Sequence, residues 1–215
     1  MDKVIRVKGI GLPFAYDNVD TDQIIPAEFL KITKREGLGE HLFNNWRYLE
    51  NGEPNPHFIL NDKKYRGANI LIAGRNFGIG SSREHAVWAL MDYGFKAIIA
   101  ASFGDIFYEN AAKNGLVCAI VDDEGELDAL RSVAFDKPID FEVNVERLVI
   151  TYADKVLHFR MDRATQNRLL TGLDDIEYTL KFYLQRIREY EMGRPVYMAP
   201  RKVELKELEK TVGWK

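Results

Sequence analysis

Between residues 68 and 121 the chain alternates strand-like and helix-like patterns, and that alternation leaves few folds open. The segment "ANILIAG", from Ala68 to Gly74, is a short apolar run closed by glycine, the pattern of a buried strand. "REHAVWALMDYG", from Arg83 to Gly94, has the length of a helix and a glycine to end it. "FKAIIAAS" is a second buried-type strand. "FGDIFYENAAKNG" is a second helix, expected to bury one face made of Phe103, Ile106, Phe107 and Ala111, and "LVCAIV" is a third strand. Strand, helix, strand, helix, strand requires right-handed crossovers, so an α/β fold around a largely parallel central sheet is expected.

The flanks are less regular. Residues Val4 to Ile10 within "MDKVIRVKGIGLPF" alternate as a strand does, and do not read as a signal peptide. The acidic loop "YDNVDTDQIIP" follows, and Pro26 is placed to open a short helix over "AEFLKI". From Arg35 to Asn61 the chain is rich in Gly, Asn and Pro, with "NGEPNP" at its centre, and a surface position is expected. After Asp122 come candidate antiparallel strands, "IDFEVN", "RLVITYA" and "KVLHFR", and then a helical pattern, "DDIEYTLKFYLQRIREYE". The 215 residues suit one domain with an extension. The expected division is a domain over 1–200 and a charged, solvated extension over 201–215, "RKVELKELEKTVGWK".

The chemistry points to the stretch "GRNFGIGSSREHAVWALMDYGF", Gly74 to Phe95. Gly78 and Gly80 let the backbone turn and approach a ligand. Ser81 and Ser82 stand where helix caps belong, and a helix start favours anions. Arg83 adds a fork matched to a carboxylate or phosphate. Two readings remain open on these residues alone, ordinary capping or a site for a small anion. A nucleotide loop fits poorly: "GRNFGIGSS" lacks the lysine of a phosphate loop, and "GIGSSR" has Arg83 where a dinucleotide fingerprint has its third glycine. In "DNVDTDQ" the three carboxylates lack the spacing of a calcium loop, and their plain reading is turn capping. His85 reads as a satisfied core histidine and Cys118 as a packed thiol.

Charge and cysteine content exclude other classes. Lys plus Arg is 30 against 33 Asp plus Glu, a net charge of -3, which lacks the basic footprint of a nucleic-acid binder. No apolar run approaches the ~18 residues of a membrane span, and a cytoplasmic setting is expected. The single cysteine rules out an intrachain disulfide and a self-held iron–sulfur cluster. His41, His57, His85 and His158 are scattered, so no metal site is expected in this chain.

Three separated motifs then match a known family in order: "NVDTDQIIPAEFLK", "NFGIGSSREHAVWALMDYGFKAIIAASFGDIFYENAAKNG" and "LLTGLDDIEYTL". Together they resemble the small subunit of bacterial 3-isopropylmalate dehydratase, a relative of the swivelling fourth domain of aconitase. The resemblance runs from about Asp17 to Pro200 and includes "EYEMGRP" near its end. It implies a swivelling β/β/α domain and a hydro-lyase that turns 2-isopropylmalate into 3-isopropylmalate in leucine biosynthesis. It also implies a partner, a large subunit that carries a [4Fe–4S] cluster, in a heterodimer or higher assembly acting on a small dicarboxylate.

The same resemblance assigns roles. Ser81 matches the general base, and Ser82 and Arg83 match residues that hold substrate carboxylates. Asp22 matches an aspartate that orients a catalytic histidine of the other subunit. Thr21 and Lys31 are the remaining expected substrate contacts. Substrate choice is attributed to the loop Phe29 to Glu36, "FLKITKRE", which offers Lys31, Lys34 and Arg35. Val87, Ala101 and Gly104 depart from the family's commonest residues. These changes spare the chemistry and leave open a paralogue acting on citramalate or citraconate, dimethylmalate or homoaconitate. A non-catalytic anion-binding module of the same fold is the alternative of a different class. It has no need of Ser81, Arg83 and Asp22 together.

Overall fold

A computed structural model describes residues 1–195 except Thr33 and Ser82. The expected boundary at residue 200 and the extension 201–215 lie outside the described residues. Two compact units divide at Asp174 and Asp175.

The first unit is built on one seven-stranded sheet of order β4-β3-β2-β1-β5-β6-β7. β1 (Arg6–Pro13), β2 (Ile70–Ile72), β3 (Ala97–Ala100) and β4 (Val117–Ile120) are parallel, as the crossovers demanded. β5 (Asp140–Asn144), β6 (Val149–Tyr152) and β7 (Lys155–His158) continue the sheet antiparallel. β1 is the junction. Arg6 to Ile10 pair with β5, and Gly11 to Pro13 pair with β2. It therefore runs further than the expected Val4 to Ile10, and Val4 bonds instead to the Leu169 carbonyl at 2.8 Å.

The parallel strands are buried on both faces, and their period of two deals residues to two cores. Leu71, Ala73, Ile98, Ala100 and Cys118 face one cluster. Ile70, Ile72, Ala97, Ile99, Val117 and Ala119 face the other. The first cluster is closed by α1 (Thr21–Ile24), α3 (Glu84–Tyr93), α4 (Asp105–Asn114) and the segment that contains α2 (Asn44–Arg47). That segment is not simply surface. Leu38, Leu42, Phe43, Phe58 and Leu60 are buried, while the turn "NGEPNP" is mostly exposed. Its glycines and asparagines make tight turns between apolar anchors. Ile106 also departs from expectation, at 49% exposed, because α4 buries Phe107, Ala111 and Ala112 instead.

The one-turn helices α1 and α2 were not read from the sequence, and neither were two longer ones. α5 (Glu124–Asp136) buries Leu127, Leu130 and Ala134 in the second core, and the Asp123 side chain caps it by accepting from the Glu126 N–H. α6 (Arg163–Thr171) is capped by Asp162 and ends at Gly172. The second unit contains α7 (Asp175–Met192), an 18-residue helix with no buried residue, where the sequence pattern placed it.

Candidate active site

Two loops that leave the sheet at the C-terminal ends of β1 and β2 run side by side and make the site. The Asn18 N–H donates to the Arg75 carbonyl at 2.8 Å, the Gly78 N–H to the Val19 carbonyl at 2.7 Å, and the Thr21 N–H to the Ile79 carbonyl at 2.9 Å. Asp20 and Ile79 form a parallel bridge. The acidic loop and the glycine–serine loop are thus one short parallel ribbon. A third loop, after β3, joins through a parallel bridge between Phe77 and Phe103.

Side chains lock the ribbon. The Asp17 carboxylate accepts from the Arg75 backbone N–H at 2.7 Å. That bond, more than the Arg75 guanidinium, holds its carboxyl below the usual range against the opposing effect of burial. Asn18 and Asn76 both adopt positive φ, 55° and 53°, and the Asn76 amide donates to Asn18 Oδ1 at 2.7 Å. Ser102 Oγ accepts from the Asn76 N–H at 2.8 Å. Asp20 caps α1 by accepting from the Gln23 N–H at 2.7 Å, and its own N–H donates to Gln23 Oε1 at 2.9 Å. This capping box was legible as D-x-x-Q, and the asparagine pair was not. Of the three acids in "DNVDTD", Asp17 and Asp20 therefore hold backbone.

Asp22 differs. It is exposed on α1 and forms an ion pair with the guanidinium of Arg83. Thr21, 2% exposed, donates its hydroxyl to the Ser81 carbonyl at 2.9 Å. The fold thus brings together Thr21, Asp22, Ser81 and Arg83, which lie about 60 residues apart in sequence. Ser81 is exposed at the surface, just past Gly80, whose φ is +95°. Ser82 lies outside the described residues. The expected cap changes. Arg83, with extended backbone, is the N-cap of α3 and makes no side-chain capping bond. Arg83 is therefore the link between the helix start and Asp22. Lys31 ends a 3-10 turn, Ala27–Lys31, with Pro26 at its N-cap, and is exposed. Among the described residues it makes no bond to Ser81, Asp22 or Arg83.

Other singled-out residues have plainer settings. Cys118 is buried in β4, and burial pushes its thiol pKa far up. His85 is half-buried and bonded to the Ile32 carbonyl. Among the described residues no group of three or more His, Cys, Asp or Glu is placed to hold a metal. No described helix is long and apolar enough to cross a membrane. A cleft of about 940 Å³ lined by Tyr16, Asp17, His57, Arg131 and Phe135 among others contains none of Thr21, Asp22, Ser81 and Arg83. Within the site Ser81 and Asp22 are exposed, Arg83 is half-buried and Thr21 is buried.

Residues 1–123 match the aconitase C-terminal domain. The 3-isopropylmalate dehydratase small subunit of Lactococcus lactis subsp. lactis is 47% identical over 191 residues, 89% of this chain and 98% of that protein. The chain belongs to the 3-isopropylmalate dehydratase small-subunit family. The small subunit of Bacillus cytotoxicus is also 47% identical, over 86% of this chain and 93% of its own length. The crystal structure of 3-isopropylmalate dehydratase from Methanocaldococcus jannaschii superposes with a TM-score of 0.60 at 28% identity, covering 87% of this chain and 99% of that one. As a small subunit of this family, the chain is one part of a hydro-lyase, and its mixed sheet is the family's fold.

Proposed function

We propose that this chain supplies the proton-abstracting serine and the carboxylate-binding arginine to a composite site that interconverts 2-isopropylmalate and 3-isopropylmalate. The observation that carries the reading is the convergence of Ser81, Asp22 and Arg83 where the two loops pair. The reaction removes a proton from the carbon next to a carboxylate and a hydroxyl from its neighbour, then adds water back the other way round. Ser81 accepts the proton. A free serine is a weak base, so its anion needs nearby positive charge, which the start of α3 and Arg83 provide. Arg83 and Ser82 bind a carboxylate of the substrate. Thr21 holds the Ser81 carbonyl and so anchors the backbone from which the hydroxyl projects.

The [4Fe–4S] cluster implied by the family does not fit this chain, whose one cysteine is buried in a strand. We assign it to the large subunit, where it would supply Lewis-acid chemistry for the leaving hydroxyl. Asp22 then has two partners in turn, Arg83 in this chain and a histidine of the large subunit in the assembled site. In the loop Phe29 to Glu36, Arg35 lies over the Trp88 ring at 5.0 Å. An arginine so engaged suits a substrate that carries an alkyl group rather than a third carboxylate. The proposed setting is the cytoplasm, in leucine biosynthesis.

Kinetics on the complex reconstituted with the large subunit test the reading. Ser81→Ala is expected to lower kcat by about 100- to 10,000-fold with little change in substrate affinity. Arg83→Lys keeps charge but loses the fork, and should raise KM as well as lower kcat. A folded Ser81→Ala complex with near-normal kcat would end the catalytic reading.

A further inference from the structure

Two contacts fasten the segment after Lys31 to the helix that begins at the site. The Nε2–H of His85 donates to the Ile32 carbonyl at 3.1 Å. A carbonyl only accepts, so this ring nitrogen carries the hydrogen. The Arg35 guanidinium lies 5.0 Å from the centroid of the Trp88 ring, within the reach of a cation–π contact. His85 comes two residues after Arg83, and Trp88 lies three further on, on the same face of α3. Their rings are 4.8 Å apart. Trp88 is itself braced, since its indole N–H donates to Asn114 Oδ1 at 3.2 Å and Asn114 donates to Glu84 Oε1 at 2.8 Å. At its other end the segment continues from the 3-10 turn and from α1, which carries Asp22. Both ends therefore connect to elements that carry site residues, α1 with Asp22 and the helix capped by Arg83.

We propose that His85 is a positioning residue. With Trp88 it clamps Ile32 and Arg35 at the edge of the Ser81–Arg83 site, and so sets how strictly the alkyl end of the substrate is selected. The inference rests on the function proposed above. It does not place His85 in contact with the reacting atoms. Losing the clamp changes substrate fit and leaves proton abstraction to Ser81, so KM and selectivity move while kcat does not.

The test uses the reconstituted complex with 2-isopropylmalate and with citramalate, which has a methyl group where isopropylmalate has isopropyl. His85→Leu should raise KM for isopropylmalate about three- to tenfold, the equivalent of one hydrogen bond, and reduce the preference over citramalate similarly. Its kcat should stay within about twofold. His85→Gln, whose amide keeps an N–H donor, should recover most of the loss. Unchanged KM and preference in a folded His85→Leu complex would overturn the clamp. If that variant does not assemble, Arg35→Ala decides. Arg35 is exposed, so the same shift at an unaltered melting temperature supports the clamp, and no shift overturns it. Failure of the underlying site reading shows separately, as a Ser81→Ala complex that stays active.

Discussion

Each polar residue of the ribbon has a distinct physical task. Asp17 accepts from the Arg75 backbone N–H and pairs with the Arg75 guanidinium, Asp20 caps α1, Thr21 spends its hydroxyl on a carbonyl, and Asp22 pairs with Arg83. Asp17 gives a pH signature. Its carboxyl is held low, first by the Arg75 N–H, so it contributes stability above its unfolded value of about 3.9, lost as pH falls through the folded value. Asp17→Asn should therefore melt below the parent by a constant margin from pH 7 to about pH 4, narrowing at lower pH. Melting curves of both proteins across that range check it, and a margin that persists undiminished to the acid end argues against the assignment.

At the scale of elements, the close approach of three loops depends on backbone that only glycine allows cheaply. Gly78 has φ +77°, and a Cβ there would run into the Phe107 ring of α4. Gly80, at φ +95°, has ordinary space around it, with Asp20 Cβ the nearest atom at 3.4 Å. Gly78→Ala is therefore expected to cost about 2–4 kcal/mol, strain and overpacking together, and Gly80→Ala about 1 kcal/mol, strain alone. Urea titrations of the two variants rank them, and equal losses would mean that the Phe107 contact yields.

For the molecule as a whole, membership of a small-subunit family and a single, buried cysteine suit one part of a shared enzyme. The isolated chain should purify without iron and without hydro-lyase activity, and should gain activity only with the large subunit. Cys118→Ser should leave the reconstituted activity nearly unchanged, because the thiol faces a core and not the site. Metal analysis of anaerobically purified chain is the check, and a stoichiometric cluster in it alone would overturn the division of labour.

The sequence by itself determined the parallel half of the sheet. Apolar runs of a few residues, helices of fixed length and terminal glycines at Gly94 and Gly115 are local signals that survive any packing. It also carried the family, through residues whose order is enough to recognise it. What it did not carry was set by contacts between distant segments. α5 is rich in acids, and its buried stripe of Leu127, Leu130 and Ala134 gains meaning only once a sheet face lies beneath it. The Gly- and Asn-rich segment looked like surface because its buried Phe43 and Phe58 are spaced by turns, not by a helix or strand period. The serines looked like caps, but the chain reaches α3 with Arg83 at the cap, drawn to Asp22 from 61 residues away. Only the pairing of two loops across the sheet's end could decide that, because hydrogen bonds between remote backbones leave no periodic trace in sequence.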